Sequence, residues 1–422
     1  MKLSEELKYR GLIENVSNED IYEKLDKEKV KFYIGFDPTA SSIQIGNFLS
    51  VVTMKRLQDA GHTPYILVGG ATGMIGDPSG KSAERNLLEG DILNQNVEAL
   101  KKQLSKYLRF DGDNAAVLVN NYDWIGKFSF LEFLRVVGKR FRLSDMLAKE
   151  SVKSRINSEA GISYTEFSYQ MIQACDFAHL AHEFDVTLQM GGGDQWGNIT
   201  AGIDFTRKLH SKQVYGAVTP LVTDSSGKKF GKSEGGAIYI DADKTSPYQM
   251  YQFLLNSDDS KVIQYLLYYT FLSLDEISEL KTKTESEPHL RAAQKALATE
   301  VVRFAHGSEG LDAAMRATSF FFGGTIEKVT DKEVASIFAD VPSVEMTRDS
   351  LEAGIPILDL LSELPLFKSK GEARRSVGQK GVYLNNIQVA GDDYVVTSKD
   401  LASESSLVFR KGKKNYCVVT FK

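Results

Sequence analysis

The sequence predicts an α/β protein built on a mostly parallel sheet, followed by a helical region and a small α+β unit. Apolar runs of strand length recur at 31–36 (KFYIGF), 65–69 (YILVG), 116–120 (AVLVN) and 187–191 (TLQMG). Helical stretches separate them, and glycine-rich or polar turns follow several of the runs. Strand, turn and helix in repetition give parallel strands with helices on both faces. The second observation is a change of period: from about 246 to 322 the apolar residues take helical spacing, in 248–255, 262–271 and 290–305. The third lies beyond 355, where short helices give way to strand-like GVYLNNIQV and LVFRKGKKNYCVVTF. Residues 323–354 lack a strong period and read as a connector. The expected division is therefore 1–245, 246–322, 323–354 and 355–422.

At 422 residues the chain is too long for one compact core, which agrees with several domains. Its 42% hydrophobic and 25% charged content is that of a soluble globular protein. The opening MKLSEELKYRGLIENVS is charged and amphipathic, so no signal peptide is expected. No apolar stretch reaches the roughly 18 residues of a membrane span. The two cysteines, Cys175 and Cys417, lie far apart and there are only six histidines. Neither a structural metal nor a disulfide framework is expected, and a reducing cytoplasm fits best. Charge is unevenly placed: residues 355–422 hold 11 Lys/Arg against 7 Asp/Glu, a balance of +4, whereas the whole chain stands at −5. A basic tail on an acidic body suggests a polyanion-binding module.

Ligands of such sheets bind outside the carboxyl ends of the strands. Asp37, Asp77 and Asp194 all follow a predicted strand. After the first strand comes GFDPTASSIQIGN, residues 35–47. Ile45, Phe48, Leu49 and Val52 then fall at i, i+3, i+4 and i+7, the stripe of an amphipathic helix. Its first turn would present free N–H groups and the positive dipole end to an anion. Gly46 would let a nucleotide lie close to the backbone, and Thr39 could donate to a phosphate. Far downstream, Lys229-Phe230-Gly231-Lys232-Ser233 is a glycine-hinged basic loop. Mobile ammonium groups of this kind can close over a bound polyanion. Lys81 and Arg85 in GDPSGKSAER are further candidates for phosphate contact. Either main segment alone would be an ordinary turn; their pairing and order are informative.

The helix after Gly161 begins Ser163-Tyr-Thr-Glu166, a capping-box pattern. Tyr169, Gln173 and Asp176 follow at i, i+4 and i+7 on one helical face. An aspartate on such a face is unusual for core packing.

Together these features resemble the class I aminoacyl-tRNA synthetases, in particular their tyrosine-specific branch. The resemblance spans nearly the whole chain, from YIGFDPTA through NNYDW, GGGDQWGNIT and KTSPYQMYQF to the C-terminus. It implies a Rossmann-like catalytic domain, then an α-helical anticodon-side domain and a small basic RNA-binding domain. It also implies ATP with Mg2+ as a substrate complex, L-tyrosine, tRNA(Tyr) and a homodimer with no membrane partner. By resemblance, Tyr33 and Asp176 meet the phenol, while Asp77, Tyr169 and Gln173 hold the amino group. Gly35, Asp37, Gly46, Gly192, Asp194, Gln195 and Lys232 contact ATP or the adenylate. Thr39, Gln44, Asn47, Lys229, Lys232 and Ser233 assist the chemistry. The family signature His-Ile-Gly-His is here Gln44-Ile45-Gly46-Asn47. A neutral amide at 44 still donates one hydrogen bond but never becomes cationic. That departure motivates an alternative, an RNA-binding paralogue with weakened catalysis.

Lys368, Lys370, Arg374 and Arg375 are expected on or beside one helix, and Arg410, Lys411, Lys413 and Lys414 in a hairpin turn, contacting mainly RNA phosphates. The segment 130–141 (FLEFLRVVGKRF) is apolar on a helical spacing. The family places its dimer interface there, although a core helix would look the same.

Overall fold

Six strands form the sheet that positions the site: β1 (Asn15–Val16), β2 (Lys31–Phe36), β3 (Thr63–Val68), β4 (Val117–Asn120), β5 (Leu188–Gly192) and β6 (Tyr215–Thr219). The computed structural model describes residues 1–79, 90–157, 161–233, 236–321, 323–327, 329–339, 341–413 and 415–422. Lys81, Arg85 and Lys414 lie outside the described residues, and so does the side chain of Ser233. Strand order is β1-β6-β5-β2-β3-β4. All pairings are parallel except β1 with β6. From β2 the chain runs outward to β3 and β4, then returns to the other side of β2 as β5 and β6. The connections after β2 and β5 therefore diverge, opening a crevice at the carboxyl ends of the two strands. β2 is apolar along its length, with Phe32, Tyr33 and Ile34 buried, because helices cover both faces of a central parallel strand.

Cα packing divides the chain into two compact units, 1–244 with 257–297, and 245–256 with 298–422. The expected helical domain 246–322 is thus shared out. Its helices Asp259–Tyr269 and Leu274–Ser286 belong to the first unit, and Pro247–Leu255 to the second. The reason is local. Arg56 donates to the Thr270 carbonyl at 2.8 Å and Arg10 to the Leu272 carbonyl at 2.6 Å. Both arginines also hold Glu6, at 2.5 and 2.7 Å, so helix Asp259–Tyr269 is tied to helices Leu3–Tyr9 and Ile45–Asp59. Periodicity reveals an apolar face but not which neighbour covers it.

The second unit carries a five-stranded sheet. Its hairpin strands Ser406–Lys411 and Asn415–Phe421 match the strand-like tail of the sequence. Its edge is Ser343–Met346, paired in parallel with Asn415–Phe421. Part of the expected connector 323–354 is therefore sheet. A four-residue edge strand with half its side chains exposed leaves little signal in sequence.

Candidate active site

All the described catalytic, tyrosine and adenylate candidates line one cavity of about 350 Å³ at the carboxyl ends of β2 and β5. β2 contributes Tyr33 and Gly35, and the loop after it Asp37 and Thr39. Gln44 caps the helix Ile45–Asp59 with extended backbone, and Gly46 and Asn47 form its first turn. Helix Tyr164–Glu183 turns Tyr169, Gln173 and Asp176 to the same space. β5 ends in Gly192, the single turn after it brings Asp194 and Gln195, and the basic loop brings Lys229 and Lys232.

At the deep end Asp176 is 1% exposed. Trp124 donates its Nε1–H to Oδ1 at 2.9 Å, and Asn121 its amide to Oδ2 at 3.0 Å. Burial pushes this carboxyl up to about 8, and nearby Asp37 adds to the rise, while the two donors pull it back. Tyr33 stands edge-on to Phe177, with ring centroids 5.3 Å apart. Its hydroxyl is buried without a hydrogen-bond partner, and burial followed by Asp176 raises its pKa well above the ordinary tyrosine value. Gln173 Oε1 and Gln189 Oε1 are buried and unpartnered as well, and both residues line the cavity. Buried polar atoms are rarely left so, and all three belong to residues that line one cavity.

Asn121 extends the network. Its amide also donates to Thr72 Oγ1 at 3.0 Å, and Thr72 donates to Asp37 Oδ1 at 2.7 Å. Tyr169 donates to Asp37 Oδ2, also at 2.7 Å. A continuous chain thus runs from Trp124 through Asp176, Asn121, Thr72 and Asp37 to Tyr169. Asp77, 5% exposed, accepts from Gln195 Nε2 at 2.5 Å, from the Ser79 N–H at 2.9 Å and from Asn198 at 3.4 Å. Sequence reasoning missed Thr72, Ser79, Asn121, Trp124, Gln189 and Asn198. NNYDW stands out as a motif, but nothing in its spacing says that an indole and an amide reach a helix 50 residues downstream.

The other end is open. Thr39, Asn47 and Lys232 are exposed and Lys229 half-buried. The basic loop docks on the signature helix: Ile238 N–H donates to the Gly231 carbonyl and Ile45 N–H to the Ile238 carbonyl, each at 2.9 Å. A Cβ on Gly46 would lie 3.1 Å from the Phe230 carbonyl oxygen. Gly46 therefore also makes room for the loop backbone. Phe230 itself packs on Tyr265, with centroids 4.2 Å apart.

The capping pattern at the start of helix Tyr164–Glu183 is only half used. Ser163 Oγ accepts from the Glu166 N–H at 3.2 Å. The Glu166 carboxylate instead grips Arg155 through two hydrogen bonds, of 3.2 and 2.7 Å, with both residues buried.

In the second unit, Lys370, Arg374 and Arg375 lie on helix Lys370–Gly378, with Lys368 just before it, all exposed. Lys370 pairs with Asp359, and Arg374 with Asp392 at 3.2 Å. Arg410 and Lys411 end a strand and are not in the turn; Lys413 is in it. Arg410 stacks over Tyr383 at 3.8 Å. Lys411 is held by Glu372 and the Leu366 carbonyl, at 2.7 and 2.9 Å.

Comparison with known proteins agrees with this geometry. The family described as tRNA synthetases class I (W and Y) matches residues 25–323, and a tyrosine–tRNA ligase C-terminal domain family (SYY-like) matches 333–419. A tyrosine–tRNA ligase of Rhodopirellula baltica is 48% identical over 99% of this chain and 96% of its own length. One from Staphylococcus haemolyticus is 46% identical over 100% and 99%. Among solved structures, a C-terminally truncated mitochondrial tyrosyl-tRNA synthetase of Coccidioides posadasii superposes with a TM-score of 0.65 at 32% identity. It covers 74% of this chain, and the chain covers 91% of it. A Rossmann-like sheet with this crevice and these matches defines a class I aminoacyl-tRNA synthetase. The chain belongs, within that class, to the tyrosine–tRNA ligase family.

Proposed function

We propose that this enzyme activates L-tyrosine with ATP and transfers the tyrosyl group to tRNA(Tyr), with the cavity divided between a phenol end and a phosphate end. What carries this reading is the single cavity that unites Tyr33 and Asp176 with Lys229 and Lys232. Its volume suits a ligand of the size of an aminoacyl-adenylate. The phenol takes the unpartnered Tyr33 hydroxyl and the Asp176 carboxyl. Tyr169, Gln173 and Asp77 hold the ammonium, with Asp37 behind Tyr169. Gly35, Gly192, Asp194 and Gln195 bracket the ribose and the reacting carboxylate. Tyrosine's carboxylate attacks the α-phosphorus, an O–P bond forms, and the bond to pyrophosphate breaks. Thr39, Gln44, Asn47, the first-turn amides beside Gly46, Lys229, Lys232 and Ser233 take up charge on the departing phosphates. A terminal ribose hydroxyl of tRNA then displaces AMP from the acyl group. No side chain needs to act as a covalent nucleophile; placement and charge stabilisation suffice. Mg2+ enters with ATP as part of the substrate.

Phenylalanine would leave the buried Tyr33 hydroxyl without a partner and would offer Asp176 nothing beyond Trp124 and Asn121. Rejection of phenylalanine by this enzyme family is itself an established example of unpaired polar groups enforcing specificity. The exposed basic residues 368, 370, 374, 375 and 413 are read as phosphate contacts, with Arg410 and Lys411 bracing the hairpin beside them. A homodimer is supported by helix Phe130–Val136, none of whose residues is buried; Phe130 and Leu131 are 66% and 72% exposed. Exposed apolar side chains on one helix favour an interface over a core position. Cytoplasmic location is supported by two free, buried cysteines. Among the described residues no helix is long and apolar enough to cross a membrane.

Pyrophosphate exchange with each of the twenty amino acids tests the reading. Tyrosine alone should support exchange; silence with tyrosine at saturating ATP would leave only an RNA-binding role.

A further inference from the structure

We propose that His179 is a positioning residue for tyrosine recognition: its ring braces the Trp124 indole so that the indole N–H meets Asp176. The inference rests on the assignment of Asp176 to the phenol and adds a residue outside the cavity. His179 follows Asp176 by three positions on helix Tyr164–Glu183, so both lie on neighbouring faces of one turn. Its imidazole stacks on the Trp124 indole, with centroids 4.3 Å apart and planes 20° from parallel. Phe184 meets the same imidazole edge-on at 6.0 Å. Trp124 sits on the four-residue helix Tyr122–Ile125, too short to fix a large side chain by itself. Trp124 also packs against the core cluster that includes Tyr33 and Phe177; the stack adds a flat face that sets the plane of the indole, and with it the aim of the 2.9 Å bond to Asp176 Oδ1.

The surroundings disfavour a charge on the stacked ring. His179 is half-buried, which lowers its pKa below the ordinary histidine value. From other elements Lys127 and His210 face it, and from its own helix His182 and Glu183; the first three disfavour a charge and Glu183 opposes them. His182 and His210 stack on each other at 4.3 Å, so half of the chain's six histidines gather here. Neither the cavity contacts nor the phosphate chemistry uses any of them.

The test has two arms. Trp124 and Trp196 are the only tryptophans, so a Trp196→Phe protein reports on Trp124 alone. Protonated imidazole quenches a stacked indole; its emission should fall as pH drops through a midpoint below about 6.5, and His179→Phe should remove that step. Emission flat with pH while His179 is present would overturn the stack. This arm needs no catalysis, so it separates failure of the stack from failure of the ligase reading. In the second arm, His179→Ala should weaken tyrosine binding about three- to tenfold, as loss of an aromatic pair does. The effect should appear in calorimetric affinity and in KM for tyrosine, with kcat and KM for ATP within about twofold. His179→Phe keeps a planar ring and should restore tyrosine affinity. Equal losses in both variants, or a loss confined to kcat, would sink the positioning role.

Discussion

The two ends of the cavity are built on opposite principles. Asp176, Tyr33 and Asn121 are buried, and the Asp176 carboxyl already holds two donors before any substrate arrives. Around Lys229, Lys232, Thr39 and Asn47 the side chains are exposed or half-buried on a loop and a helix end. The deep end is rigid because it must tell a hydroxyl from a hydrogen. That requires fixed, desolvated polar groups which lose heavily when unpaired. The open end must follow charge that moves during the reaction and then release pyrophosphate, so it cannot be locked in advance.

If this contrast is right, damage at the two ends should differ in kind as well as size. The largest effect is expected from Asp176→Ala. It removes the phenol's partner, strands the Trp124 N–H and takes one of the two acceptors from the Asn121 amide. Tyrosine-dependent exchange should fall about a hundredfold or more in kcat/KM, and the tyrosine-to-phenylalanine ratio should collapse. An unchanged ratio would remove the phenol assignment. Next comes Lys232→Ala, which takes away one donor to the departing phosphates. The loss should be about a hundredfold in kcat, with the equilibrium affinity for tyrosine unaltered. A shift in tyrosine affinity instead would mean that the two ends are not separate.

A smaller effect sharpens the comparison through stability. The Asp176 carboxyl, raised to about 8 in the folded chain, binds its proton far more readily there than when unfolded, near 3.9. Between those values the folded state holds the extra proton, so stability falls as pH rises, by at most about 1.4 kcal/mol per pH unit. Below the lower value the penalty is absent, and above about 8 it is complete. Urea midpoints measured from pH 5 to 8 should therefore decline more steeply for the parent than for Asp176→Asn. Parallel slopes would show that the carboxyl is ionised throughout.

The sequence disclosed the open end and the deep end unequally. Strand ends, the stripe from Ile45 to Val52 and the i, i+4, i+7 set on one helix are local patterns, and the cavity collects their residues as the spacing implied. Asn121, Trp124 and Thr72 were invisible because their partners lie across the sheet: Asn121 and Trp124 reach Asp176 across more than 50 positions. Packing chooses such partners, not periodicity. The same limit explains the domain borders. Helix Asp259–Tyr269 is legible as a helix, but only the carbonyls offered to Arg10 and Arg56 reveal which unit it joins. Gly46 was legible as a close approach, while the identity of what approaches, the Phe230 carbonyl, needed the loop in place.

The smallest predicted effect tests how far the open end tolerates substitution. Gln44 has extended backbone at the helix start and bridges to Tyr239, and its side chain caps nothing. It is half-buried beside the exposed Asn47. A ring at this position would face the cavity that Gln44 lines, and it would break no capping bond. Gln44→His should therefore match the parent in exchange rate or exceed it by about the few-fold that a charge-assisted hydrogen bond adds over a neutral one. Any gain should grow as pH falls toward 6, where the imidazole becomes cationic. A large loss would mean that the geometry is built around the glutamine amide, making this corner of the open end as fixed as the pocket that holds the phenol.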